Sequence, residues 1–220
     1  MTRLLIFDLD GTLLNTIADL GEACNKALAA NGFPVHSQDE YPLLVGNGVN
    51  KLIERALPLT DRNEETILRL RETFIPYYDA HNCLYTKPYE GIQQVLNSLK
   101  SSGFRLAVAS NKYQRATEKL ITHYFGDGLF DAVLGERDGH PRKPDPIIVE
   151  EIKAATGLSD SVCFIGDSEV DMQTARNAAV TSIACTWGFC KEEQLLKHTP
   201  HYIARQPEEL LTIAEEIQRL

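Results

Sequence analysis

Three short apolar runs, each closing on polar side chains, set what this chain can fold into. Leu4–Phe7 closes on Asp8, Arg105–Ala109 on Ser110-Asn111-Lys112, and Val162–Ile165 on Gly166-Asp167-Ser168. Runs of this length, bounded by Gly and polar turns, read as buried strands. Asp131–Leu134, Thr181–Thr186 and Tyr202–Ala204 read the same way. Helical stripes lie between them. Ile92, Val95, Leu96 and Leu99 are stopped by Gly103, and a second stripe follows to about Tyr124. Asp145 is placed to cap a third, with Pro146 at its first position and Gly157 at its end. A fourth covers Glu169–Ala179, and a last one carries Leu210, Leu211, Ile213 and Ile217. Strands alternating with helices at this spacing predict an α/β fold: a parallel sheet with helices on both faces.

One block breaks the alternation. Ile17, Leu20, Cys24, Ala27 and Leu28 share a helical stripe that Asn31-Gly32 ends, and Thr16 with Asp19 has the form of a capping box. The stretch Phe33–Leu44 is irregular, with two prolines. Gly46-Asn47-Gly48 opens a second helix, striped by Val49, Leu52, Ile53, Ala56 and Leu57 and closed by Pro58. A third, from about Asp61 to Ala80, carries Ile67, Leu70, Phe74 and Tyr78, and Pro76 is expected to kink or end it. No strand pattern occurs between Thr16 and Thr86. Residues 16–86 therefore read as an all-helical domain inserted into an α/β core of residues 1–15 and 87–220.

Charge and cysteine content narrow the functions. Twenty-two Lys and Arg against 31 Asp and Glu give a formal charge of −9, with no basic block. That excludes a nucleic-acid footprint, which needs clustered cations. Five cysteines, Cys24, Cys83, Cys163, Cys185 and Cys190, form no CxxC pair and no regular framework. They read as reduced, mostly buried thiols of a cytoplasmic protein. No signal-like segment is evident at the start, and no apolar run approaches the roughly 20 residues of a membrane span.

The polar residues that end the strands are the candidate site. In open parallel sheets, ligands bind beyond the carboxyl ends of the strands. Asp8 and Asp10 follow the first strand, Ser110 and Asn111 the second, Lys143 lies in the loop after the third, and Asp167 and Asp171 follow the fourth. Alternate residues of a strand share a face, so Asp8 and Asp10 can enter one site. Carboxylates that close need a cation or a shared proton, and oxygen donors of this kind favour a hard ion such as Mg2+. In the helical block, Gly-flanked Asn47 opens a helix whose free N–H groups suit an anion, with Lys51 or Arg55 near enough to assist.

Four motifs carry a resemblance to a known family. Asp8-Leu9-Asp10-Gly11-Thr12-Leu13, Val108-Ala109-Ser110-Asn111, Lys143-Pro144-Asp145-Pro146 and Gly166-Asp167-Ser168-Glu169-Val170-Asp171 resemble, in order, the four motifs of the haloacid dehalogenase superfamily. Gly46-Asn47-Gly48, Glu54-Arg55-Ala56-Leu57 and Thr86-Lys87-Pro88-Tyr89 resemble the cap of its phosphoglycolate phosphatases. The chain departs from that pattern at Asn15, Glu90 and Val180.

The resemblance implies a Rossmann-like core with a helical cap, and a role for each residue. Asp8 is the expected nucleophile, forming an aspartyl phosphate. Asp10 is the expected general acid and base. Mg2+ is expected on Asp8, Asp167 and Asp10, the last through its backbone carbonyl, with Asp171 in direct or indirect support. Ser110, Asn111 and Lys143 are expected on the phosphoryl oxygens, and Gly46, Asn47 and Gly48 on a substrate carboxylate. The implied enzyme is a phosphatase of a small phosphorylated metabolite, with 2-phosphoglycolate the leading substrate, in a monomer or homodimer. A phosphosugar mutase, an inorganic pyrophosphatase and a non-enzymatic phosphate-binding module are the alternatives on the same scaffold.

Overall fold

The computed structural model describes residues 3–219. Two compact units divide the chain: one runs to Leu14 and resumes at Pro88, and the other is Asn15–Lys87. β1 (Leu4–Phe7) opens the first unit, and β2 (Leu14–Asn15) leads out of it.

The second unit is helical: α1 (Ile17–Ala30), α2 (Tyr41–Leu44), α3 (Gly48–Ala56) and α4 (Glu64–His81). Its interior comes from the striped positions, with Leu20, Cys24, Ala27, Leu28, Leu52, Ile53, Leu70, Phe74 and Tyr78 buried. Three expectations are corrected here. The segment Phe33–Leu44 is not wholly irregular: a single 3-10 turn at Gln38–Glu40 leads into α2. Pro76 neither ends nor divides α4. An interior proline forfeits one backbone hydrogen bond and crowds the preceding turn, a cost of about 3 kcal/mol. The buried faces of Leu70, Phe74 and Tyr78, the last two stacked at 5.5 Å, offset it. Thr16 and Asp19 make no capping box. Asp19 is 3 % exposed and accepts instead from the backbone N–H groups of Tyr85 and Thr86 and from the Thr86 hydroxyl, at 2.7–3.2 Å. Its carboxylate ties the last residues of the unit back to its first helix.

The chain returns through β3 (Lys87–Pro88), which pairs with β2. The first unit then continues as α5 (Ile92–Ser101), β4 (Arg105–Tyr113), α6 (Gln114–Phe125), β5 (Ala132–Glu136) and α7 (Ile147–Thr156). It ends with β6 (Val162–Gly166), α8 (Glu169–Asn177), β7 (Thr181–Cys185), α9 (Glu192–Leu196), β8 (Tyr202–Ala204) and α10 (Glu209–Arg219). Six strands form one sheet in the order β5-β4-β1-β6-β7-β8, and every neighbouring pair is parallel. On one face Leu4, Ile6, Ala107, Ala109, Val162 and Phe164 pack on Ile148, Val149 and Ile152 of α7 and Ala175 of α8. The alternate residues Leu5, Phe7, Leu106 and Val108 are buried as well. Both faces are covered, which is why β1 reads as an unbroken apolar run rather than an alternating one.

Two local readings also change. α7 begins one residue later than expected: Pro146 is its N-cap, and Asp145 Oδ1 accepts from the N–H of Ile147 at 3.0 Å in the turn before it. β4 runs four residues past Ala109, to Tyr113, and its register against β5 shifts between Ala109 and Tyr113. A shift of this kind disturbs strict alternation and re-aims side chains at a strand end. Ser110, Asn111 and Lys112 lie within it, and all three are buried. Among the described residues no helix is long and apolar enough to cross a membrane.

Candidate active site

β1 lies at the centre of the sheet, between β4 and β6. The chain goes outward from β1 to β4 and β5, then returns to the other side of β1 as β6. That reversal opens a crevice at the carboxyl ends of the strands. Asp8 is the first residue past β1, and its N–H bonds Ile165 O at 2.9 Å, extending the ladder by one step. The chain then folds tightly on itself: Leu13 N and Leu14 N both donate to Leu9 O, and Gly11 N donates to Leu14 O. Gly11 has φ +89°, a region that disfavours side chains.

Three carboxylates converge in this crevice. Asp8, Asp167 and Asp171 each offer an oxygen within 4.8 Å of the others, and all three are buried. Different partners hold each one. Asp167 Oδ1 accepts from the Thr12 hydroxyl at 2.9 Å, and Oδ2 accepts from Phe189 N at 2.8 Å. Asp171 Oδ2 accepts from the backbone N and hydroxyl of Ser168, which in turn caps α8, while Oδ1 faces Lys143. Lys143 is 4 % exposed, and its Nζ lies 2.7 Å from Asp171 Oδ1 and 2.8 Å from Asp8 Oδ1. One ammonium is thus shared between two buried carboxylates.

Glycine shapes the pocket around these acids. A Cβ on Gly11 would stand 2.2 Å from Asp167 Oδ2, and one on Gly188 2.3 Å from the same atom. A Cβ on Gly166 would stand 2.3 Å from the carboxyl carbon of Asp171. The carboxylates occupy the space that side chains at these positions would fill.

Burial sets the electrostatics. It pushes the Asp8 carboxyl up to about 7, with Asp171 adding to the rise and Lys143 opposing it. Burial, then Asp171 and Asp8, holds Asp167 well above the ordinary carboxylate range, against the Phe189 N–H and the Thr12 hydroxyl. Burial works against the Lys143 charge, but Asp171 and Asp8 outweigh it and raise its pKa. Three acids facing one ammonium leave a deficit of two positive charges. With all-oxygen donors and one ammonium shared between two of them, the residues fit a hard divalent cation such as Mg2+. Burial also pushes the Cys185 thiol far up, with the same acids beside it, which leaves no thiolate for chemistry.

The sequence-predicted residues divide as follows. Asp8, Asp167, Asp171 and Lys143 come together. Asp10 lies outside the carboxylate cluster, with Oδ2 3.1 Å from the ammonium of Lys112. The Ser110 hydroxyl accepts from Lys112 N at 3.2 Å. The Asn111 side chain is engaged with the backbone of Lys143: Nδ2 donates to its O at 3.0 Å and Oδ1 accepts from its N at 2.9 Å. Of the backbone or amide N–H of Asn111 expected on a phosphoryl oxygen, the amide instead braces the loop that presents Lys143. Gly46, Asn47 and Gly48 belong to the helical unit, where all three have positive φ. The cations expected to assist them are engaged: Arg55 Nη1 donates to the carbonyls of Leu44, Val45 and Gly46, and Lys51 pairs with Glu54.

Sequence reasoning missed Lys112, Thr12 and the N–H of Phe189. Lys112 stands two residues from Ser110, but the register shift at the end of β4 means that strand alternation alone does not bring the two to one side. Trp187 also fastens the first loop, its indole N–H donating to Thr12 O at 3.0 Å.

Comparison with known proteins gives the family. Residues 5–185 match the family model described as haloacid dehalogenase-like hydrolase. The phosphoglycolate phosphatase of Agrobacterium fabrum is 38 % identical over 192 residues, covering 86 % of this chain and 82 % of that one. The phosphoglycolate phosphatase of Mannheimia succiniciproducens is 31 % identical over 218 residues, covering 96 % and 97 %. The crystal structure of a Lactobacillus delbrueckii subsp. bulgaricus protein superposes with a TM-score of 0.89 at 34 % identity, covering 96 % and 97 %. With most of its length matched by the family model and its acids gathered at the carboxyl ends of a parallel sheet, the chain belongs to the haloacid dehalogenase-like hydrolases.

Proposed function

We propose that the protein is a Mg2+-dependent phosphatase of small phosphate monoesters, with 2-phosphoglycolate as its substrate. One observation carries the reading: Asp8, buried, pairs with Lys143 within a cluster of three acids. The full-length similarity to phosphoglycolate phosphatases supports the choice of ester.

Asp8, Asp167 and Asp171 would hold the metal, which supplies positive charge against a phosphoryl group beside a carboxylate nucleophile. Asp8 attacks phosphorus, and an aspartyl phosphate forms as the ester oxygen leaves. Asp10, just before the Gly11–Leu13 turn, protonates the leaving oxygen and then takes a proton from the water that hydrolyses the phosphoenzyme. Lys143 keeps its charge in the pocket and binds the phosphoryl oxygens, as does the Ser110 hydroxyl. Asn111 serves through the Lys143 backbone. Preorganised donors of this kind contribute roughly 3–4 kcal/mol each to the transition state. Five free thiols, three of them buried, suit the reducing cytoplasm.

Phosphate release from 2-phosphoglycolate, hexose phosphates, pyrophosphate and nucleotides, with Mg2+ or with EDTA, tests the reading. Wild type should release phosphate from 2-phosphoglycolate only with the metal, and Asp8→Asn should release none while remaining folded. Substantial turnover by folded Asp8→Asn would remove Asp8 as nucleophile. A preference for pyrophosphate or a hexose phosphate would move the substrate to one of the alternatives on this scaffold.

A further inference from the structure

The proposed reaction leaves one buried cation without a task. Lys112 is 5 % exposed, at the register shift where β4 ends, and its Nζ lies 3.1 Å from Asp10 Oδ2. Burying an ammonium is costly, and such residues are retained where the charge meets a partner. Asp10 is itself 17 % exposed in its side chain, so the pair borders the open part of the pocket rather than its floor.

We infer that Lys112 binds a carboxylate on the leaving group, which selects phosphate esters of short 2-hydroxy acids. The inference rests on the phosphatase reading and on Asp10 as proton donor. A general acid must come within about 2.6–3.2 Å of the oxygen it protonates. Lys112 Nζ lies 3.1 Å beyond that acid, so the ammonium falls within about 6 Å of the ester oxygen. In an O–CH2–COO− leaving group, the carboxyl carbon lies two bonds beyond that oxygen, about 2.4 Å away across a tetrahedral carbon, and its oxygens reach about 1 Å further. A flexible four-carbon stem spans the remainder. A leaving group with no anion gains nothing from this cation, and one with a distant anion cannot reach it.

Lys112 is engaged too, with Asp10, and it differs from the other cations in where its partner stands. Lys143 serves the phosphoryl end between Asp8 and Asp171, Lys51 pairs with Glu54, and Arg55 Nη1 donates to three backbone carbonyls. Lys112 is the buried ammonium that adjoins the residue expected to touch the leaving oxygen.

The test compares 2-phosphoglycolate with ethyl phosphate, which has the same carbon count and no carboxylate, under saturating Mg2+. The readout is the ratio of their kcat/KM values in wild type, Lys112→Met and Lys112→Arg. A ratio does not depend on how much of a preparation is folded. Wild type should favour 2-phosphoglycolate. Lys112→Met should lower the ratio roughly 10- to 100-fold, the scale of a lost charged hydrogen bond, with most of the loss in the KM for 2-phosphoglycolate. Lys112→Arg should keep part of the preference. If Lys112→Met does not fold, Lys112→Gln, which keeps a donor toward Asp10 without the charge, reads the same ratio. An unchanged ratio with kcat lowered for both esters would overturn the inference and make Lys112 a positioning residue for Asp10. Wild type that releases phosphate from neither ester would instead refute 2-phosphoglycolate as the substrate, and with it the basis of the inference.

Discussion

Lys143→Met gives the most direct measure of how the buried charges depend on one another. Methionine keeps the length of the stem and removes the ammonium. In the wild type that ammonium touches two buried carboxylates, Asp171 at 2.7 Å and Asp8 at 2.8 Å, with 2 % of its side chain exposed. Removing one partner of a buried ion pair costs about 3–5 kcal/mol, because the other charge stays behind unpaired. For a chain of this size, each kcal/mol moves the midpoint of thermal unfolding by about 2–4 °C. The expected drop is therefore roughly 6–20 °C, read by differential scanning fluorimetry at pH 8 in EDTA. The pH sets its sign. Lys143 holds the Asp8 carboxyl down toward about 7, so its loss lets that pKa rise. A carboxylic acid that is neutral in the folded state needs no partner. The gap between variant and wild type should thus be widest above pH 7 and narrow as pH falls toward 5.5. A variant as stable as wild type at pH 8 without metal would refute the electrostatic account of the pocket. So would a gap that widened on acidification.

Two other predictions follow from the same structure. In EDTA, wild-type stability should decline as pH rises through about 7, since folded Asp8 and Asp167 retain protons that the unfolded chain has released. Added Mg2+ should then raise the melting temperature more at pH 8 than at pH 5.5, and an equal increment at both would contradict metal binding by these carboxylates. In the helical unit, Asp19→Ala strips an acceptor from two backbone N–H groups and one hydroxyl. With Thr86 buried, urea unfolding should show a loss of about 2–4 kcal/mol. A loss under 1 kcal/mol would mean that water replaces the carboxylate.

Much of this architecture is legible in the sequence, for a definite reason. A parallel strand buried on both faces leaves an apolar run, and catalytic polar groups at its carboxyl end interrupt that run abruptly. Leu4–Phe7 before Asp8 and Val162–Ile165 before Asp167 both show it. The features that escaped depend on residues far apart in the chain. Asp19 reads as half of a local capping box, but its partners lie 66 and 67 residues on. Pro76 reads as a helix breaker, because the packing of Phe74 and Tyr78 that overrides it is a tertiary effect. Asn111 looks like a substrate donor until Lys143, 32 residues later, engages both ends of its amide. Lys112 carries no role in the sequence reading because no local pattern announces the burial of an ammonium.

Gly11, Gly166 and Gly188 bear no reactive group, yet a methyl at any of them would collide with a carboxylate. A scan of single substitutions that scored only turnover would rank them beside the acids themselves. Efforts to retune this protein toward bulkier esters should leave those three hydrogens alone and vary residues whose side chains already face the opening. What these positions supply is empty volume, kept clear so that two acids can stand where they do.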